Sequence, residues 1–226
     1  MGTGSSGAGS RGMSAGKSVT DYDGSKIDMS HAPLKYGKDD DTLKGSVKEA
    51  IAKFEDKRMK QKIEYGTLVD GNGNVISEKR GGKGAVKMLV KDYEKAVAMT
   101  HIHPRQGGSI GGSFSQGDIE AFIRFPKLLT MRAVAKEGTY SISKAKGFNA
   151  NGLKSHFIAT ETKLRGEYTN VAKKLANEYK SGKIDYDTYS KAHDRAFNKY
   201  LSDSHKALLD GQKKFGYNYT LERRKK

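Results

Sequence analysis

Ala96-Val97-Ala98-Met99-Thr100, followed by His101-Ile102-His103-Pro104, is apolar, β-permissive and short enough to be a buried strand. Side chains at i and i+2 leave a strand from the same face, so the His101 and His103 imidazoles can reach one ion. Ser115-Gln116-Gly117-Asp118 comes next and opens the apolar run Ile119 to Phe125, which reads as a helix. His101, His103 and Asp118 thus offer three metal ligands within eighteen residues. A strand end facing a helix start is a rigid place to hold them.

Outward from this stretch the pattern predicts an α+β (α/β-like) fold with a mixed central sheet flanked by helices. Upstream, Ser46 to Lys60 reads as a helix with Val47, Ala50, Ile51 and Phe54 near one face. Two β-like segments follow, Ile63 to Val69 and Asn74 to Glu78. Asp70-Gly71-Asn72-Gly73 between them suits a hairpin turn. Lys87 to Lys95 reads as helical, and Met131 to Ala135 and Thr139 to Ser143 as a further pair of strands. These elements define a metal-binding domain over residues 46–146. Residues 1–45 are dominated by Gly, Ser, Asp and Lys and predict a flexible or partner-ordered arm. Residues 147–226 predict a basic helical hairpin and tail. Leu164, Tyr168, Val171, Leu175 and Tyr179 keep helical spacing up to Ser181-Gly182, and a second helix runs from about Tyr186 to Lys214. Glu222-Arg223-Arg224-Lys225-Lys226 reads as a solvated basic end.

Composition limits the function classes. Lys and Arg total 42 against 26 Asp and Glu, a net charge of +16 among 226 residues. That charge favours anionic partners, nucleic acid or an acidic protein surface, but it is spread along the chain. The absence of cysteine excludes disulfides, cysteine-ligated zinc and thiol catalysis. No stretch approaches the ~18 apolar residues of a membrane helix. Met1 to Ser18 lacks the apolar core of a signal peptide, so a soluble chain without membrane partners is expected.

A catalytic zinc ordinarily has three protein ligands and a water in the open position, which His101, His103 and Asp118 would allow. Such a site also needs a general base and a group that supports the developing oxyanion. Glu64 is the best base, a carboxylate within the otherwise apolar run Ile63-Glu64-Tyr65-Gly66-Thr67-Leu68-Val69. Glu55 and Glu78 are the alternatives. Ser115, three residues before Asp118, could place its hydroxyl beside a bound substrate.

A Glu on an early strand, then His101-Ile102-His103-Pro104 and Ser115-Gln116-Gly117-Asp118, resembles the JAB/MPN (JAMM) metalloprotein superfamily, closest to its phage-encoded and RadC-like branches. Asp70-Gly71-Asn72-Gly73-Asn74 after the Glu64 strand is similar to the phage-type pattern. The resemblance covers roughly residues 46–146. It implies zinc held by the two histidines and the aspartate, Glu64 as acid/base, and Ser115 supporting a tetrahedral intermediate. It further implies cleavage of a peptide or isopeptide bond, often beside a ubiquitin-like protein, although some members keep the fold without known hydrolysis. The eleven residues between His103 and Ser115 exceed the family's usual spacing, and Glu64-Tyr65-Gly66 is one residue shorter than its Glu-x-x-Gly.

Simpler readings stand beside these. Ser115-x-x-Asp118 is also a helix cap worth ~1 kcal/mol. His31, His156, His193 and His205 have no comparable partners along the chain. The Gly-rich loop 106–112 lacks the Gly-Lys-Ser/Thr of a phosphate loop and reads as a flap near the metal. The leading expectation is a phage-associated zinc-dependent hydrolase, in the cytoplasm or within a phage particle. The alternative is a non-catalytic structural or nucleic-acid-contacting virion protein on the same scaffold. A two-metal nuclease ranks last, for want of a second carboxylate cluster.

Overall fold

In the computed structural model the run that ends in the histidines is a strand buried along its whole length. The structure describes residues 45–104 and 112–223. The expected N-terminal arm, apart from Gly45, lies outside the described residues, as do the glycine-rich loop except Gly112 and the last three residues. In chain order the elements are α1 (Gly45–Arg58), β1 (Tyr65–Val69), β2 (Val75–Arg80), α2 (Val90–Tyr93), β3 (Ala98–Ile102), α3 (Gln116–Arg124), β4 (Thr130–Val134), β5 (Gly138–Lys144), α4 (Ala150–Lys180), α5 (Tyr186–Phe215) and β6 (Tyr217–Arg223). The strands form one mixed sheet in the order β2-β1-β3-β4-β5-β6. Only β3 and β4 pair in parallel, and the other neighbours are antiparallel. The chain is therefore α+β.

Local chemistry explains the elements nearest the site. The β1–β2 turn closes on the Asp70 carboxylate, which accepts the backbone N–H groups of Asn72 and Asn74 at 2.9 Å each. Gly73 sits there at φ +87°, and a Cβ on it would meet Ser46 of α1 at 2.7 Å. The helix expected over Lys87 to Lys95 is a single turn. Its N-cap is Leu89, which has no side-chain oxygen to satisfy the first N–H groups, and Leu89 and Val90 are exposed.

The sheet separates two interiors by side-chain parity. Leu68, Met99, Met131, Ala133, Tyr140 and Ile142 face the main core, with Ile119 and Phe122 of α3. On the opposite face α1 packs Val47 and Ile51 against Val69 and Ala98, and Phe54 against Ile102 and Val134. Within that second layer Arg132 grips Glu55 through two hydrogen bonds of 2.6 and 2.9 Å, and Thr100 donates to the same carboxylate at 2.8 Å. All three residues are buried, so the charges are paired and hydrogen-bonded, as burial requires.

The C-terminal segment belongs to the same core. Leu153 and Phe157 of α4, Leu208, Leu209 and Phe215 of α5, and Tyr217, Tyr219 and Leu221 of β6 join the main cluster. The core thus crosses the boundary expected at 146–147. The end expected to be solvated begins inside a strand: Glu222 pairs with Thr139 and Arg223 with Gly138. The physical reason is the alternation Tyr217-Asn218-Tyr219-Thr220-Leu221, which puts three apolar side chains on the core face. Among the described residues no helix is long and apolar enough to cross a membrane. Leu221→Ala should cost ~2–5 kcal/mol in chemical denaturation, because Leu221 is 1% exposed. Glu222→Ala, at an exposed position of the same strand, should stay within about 0.5 kcal/mol.

Candidate metal centre

Because β3 and β4 run parallel, the chain must cross over between them, and α3 lies in that connection. The helix starts beside the end of β3 where His101 and His103 emerge. The two Nε2 atoms are 3.0 Å apart, and His101 Nε2 lies 3.5 Å from Asp118 Oδ1. One ligand atom from each of His101, His103 and Asp118 falls within 4.8 Å of the others. The histidines are buried and Asp118 is partly open to solvent.

Two of the three residues, His103 and Asp118, are held from behind. His103 Nδ1 is 2.9 Å from the carbonyl oxygen of Gly112, which places the ring proton on Nδ1 and turns the Nε2 lone pair toward the cluster. Gly112 N–H donates in turn to Glu137 Oε1 at 3.0 Å, and Tyr140 O–H donates to the same oxygen at 2.7 Å. Gly112 needs to be glycine. Its φ is +77°, and a Cβ would come within 2.8 Å of Leu201 on α5. Asp118 is fixed by the first turn of α3. Its Oδ2 accepts the Ser115 N–H at 2.8 Å and the Ser115 hydroxyl at 2.7 Å, which leaves Oδ1 for the histidines. Ser115 is the N-cap, and the pair forms a reciprocal capping box.

The electrostatics are those of a tightly coupled imidazole–carboxylate cluster. Burial would raise the Asp118 carboxyl, but the neighbouring His101 and His103 and the Ser115 hydroxyl outweigh it and hold the group well below the usual carboxylate range. Burial would likewise lower His101. Asp118, then Glu64 and the Arg132 backbone carbonyl, reverse that and leave the imidazole raised. Two ring nitrogens 3.0 Å apart with lone pairs facing each other would repel unless a proton or a metal ion lay between them.

The three candidate carboxylates part company here. His101 pairs with Gly66 at the end of the β1–β3 register, and Glu64, two residues before Gly66, falls on the His101 side by strand alternation. Glu64 is 4% exposed, its backbone N–H is bonded to Gly82 O at 2.8 Å, and its charge acts on His101. Glu55 lies on the opposite face with Arg132, and Glu78 sits on the edge strand bonded to Arg58 at 2.9 Å. Neither faces the histidines.

No protein-family model, curated protein or solved structure matches this chain.

Supporting residues went unrecognised in the sequence. Glu137 reads there only as a turn residue, since its link to His103 runs through a backbone amide. Phe114, 3% exposed, tilts against His101 at a centroid distance of 6.3 Å. Tyr93 stacks on Phe125 at 4.6 Å, and burial together with the Asp118 charge pushes its hydroxyl up to about 12. Ser115→Ala should cost about 1 kcal/mol of stability in urea denaturation by removing the cap, while Ser115→Thr should retain most of it.

Proposed function

We propose that His101, His103 and Asp118 bind one zinc ion and that the chain is a zinc-dependent hydrolase acting on peptide or isopeptide bonds. The observation that carries this reading is the convergence of two buried imidazole nitrogens 3.0 Å apart with a carboxylate oxygen 3.5 Å away. These two separations lie near the ~3.3 Å edge of a tetrahedron whose metal–ligand bonds are ~2.0–2.1 Å, and the widest separation in the cluster, 4.8 Å, would close as an ion bound. Two imidazoles and one carboxylate suit zinc and leave one of four positions for solvent. The coarse α+β class is compatible with the JAMM resemblance, which rests on the residue pattern.

Zinc bound there would lower the pKa of a bound water to ~7 and supply hydroxide near neutral pH. The protein's own groups do the rest. The Gly112 carbonyl fixes the His103 tautomer, and Ser115 positions the Asp118 carboxylate. Glu64 takes the proton released as water attacks the carbonyl and returns it to the leaving amine nitrogen.

Elemental analysis of protein purified without added metal should find about one zinc per chain. His101→Ala and Asp118→Ala should lose it. Glu64→Gln should keep the zinc yet lower cleavage of a peptide or isopeptide substrate by at least ~100-fold. Turnover unchanged by Glu64→Gln would contradict the assignment of the base.

The net charge of +16 supports a second reading, contact with nucleic acid, to which the resemblance adds a place in a phage particle. On duplex DNA each phosphate neutralised should add about −0.9 to the slope of log affinity against log salt. Binding that does not weaken between low and high salt would remove this reading.

A further inference from the structure

Gly112, Ser113 and Phe114 form a short buried segment that touches both histidines. The Gly112 carbonyl oxygen lies 2.9 Å from His103 Nδ1, and the Phe114 ring rests against the His101 ring at a centroid distance of 6.3 Å. None of the three residues belongs to a helix or a strand, so no ladder of backbone bonds fixes their place. Their position must come from the side chains packed around them.

Much of that surround comes from the C-terminal part of the chain. Glu137, between β4 and β5, accepts the Gly112 N–H at 3.0 Å, and the Tyr140 hydroxyl holds the same carboxylate oxygen at 2.7 Å. Leu201 of α5 fills the space a Cβ on Gly112 would need, with its Cδ2 2.8 Å from that point. Tyr219 of β6 backs Phe114 at a centroid distance of 6.2 Å. Tyr219 is itself fixed to α5: its hydroxyl lies 2.6 Å from His205 Nδ1, and its N–H donates to Gln212 Oε1 at 2.7 Å. The Tyr217 hydroxyl, which donates to the Leu208 carbonyl oxygen, pins the start of β6 to the same helix. Leu201, His205, Tyr140 and Tyr219 are all buried, and a close-packed interior passes a displacement on to its neighbours.

We infer that Glu137 and Leu201 are positioning residues of the metal centre. Together they clamp the Gly112 peptide from two sides, so that its carbonyl keeps the His103 proton on Nδ1 and the Nε2 lone pair stays turned to the cluster. This role rests on the reading of His103 as a metal ligand. It makes α5, which lies outside the stretch that carries the resemblance, a working part of the site. Nitrogen-15 NMR of the metal-free full chain reads the His103 tautomer without any metal, and should find the proton on Nδ1. Glu137→Ala and Leu201→Ala should both give a mixture of tautomers and raise the zinc dissociation constant at least ~10-fold, the usual cost of losing a partner behind a ligating histidine. Leu201→Val, a milder truncation, should move both readouts in the same direction. Glu137→Gln keeps an oxygen that can accept the Gly112 N–H and should restore both to the native values. Val47→Ala removes buried volume on the opposite face of the sheet and should change neither. A native tautomer in both alanine variants would overturn the clamp. So would a Val47→Ala variant that reproduces their effect, since that would mark a general loss of stability. A tautomer that shifts as expected in a chain that binds no zinc would support the clamp and remove the metal reading instead.

Discussion

The arrangement at the histidines depends on where α3 begins. Asp118 Oδ2 is tied to the N–H and hydroxyl of Ser115, so the direction of Oδ1 follows from the first turn of the helix and not from a free rotamer. That turn sits beside the end of β3 because β3 and β4 are parallel and need a crossover between them. A change in the β3–β4 pairing would move the carboxylate away from both imidazoles. The cap that starts the helix and the bond that orients the Asp118 carboxylate are therefore one interaction.

The parity of β3 does the second half of this work. Thr100 turns toward α1 and the Glu55–Arg132 pair, while His101 turns toward α3. The sheet keeps a satisfied ion pair on one face and the His101–His103–Asp118 cluster on the other, in separate interiors although Thr100 and His101 are adjacent in the chain. The pairing of Glu55 with Arg132 also removes that carboxylate from competition for a metal. Glu64 is left as the carboxylate of the three on the histidine side.

Much of this was legible in the residues. The strand through His101, the helix at Ser115 and the hairpin turn at Asp70 each carry a local signal: period-two projection, a cap, or residues that tolerate a tight turn. The register that favours Glu64 over Glu55 and Glu78 was not, because it depends on pairing between strands distant in the chain. β6 was missed although Tyr217, Tyr219 and Leu221 alternate with polar residues. The basic run Glu222 to Lys226 after them carries the opposite local signal, that of a solvated end. Glu137 was out of reach for a different reason, since its contact with His103 passes through the backbone of Gly112, whose role no side chain announces.

The central claim is that His101, His103 and Asp118 form a single metal centre. X-ray absorption at the zinc edge, on protein loaded with one equivalent, tests it most directly. The account predicts two imidazole ligands with Zn–N distances of ~2.0–2.1 Å and a low-coordinate N/O shell, with the imidazole signature lost in His101→Ala. A shell of oxygen ligands without imidazole scattering, unchanged by that substitution, would contradict it.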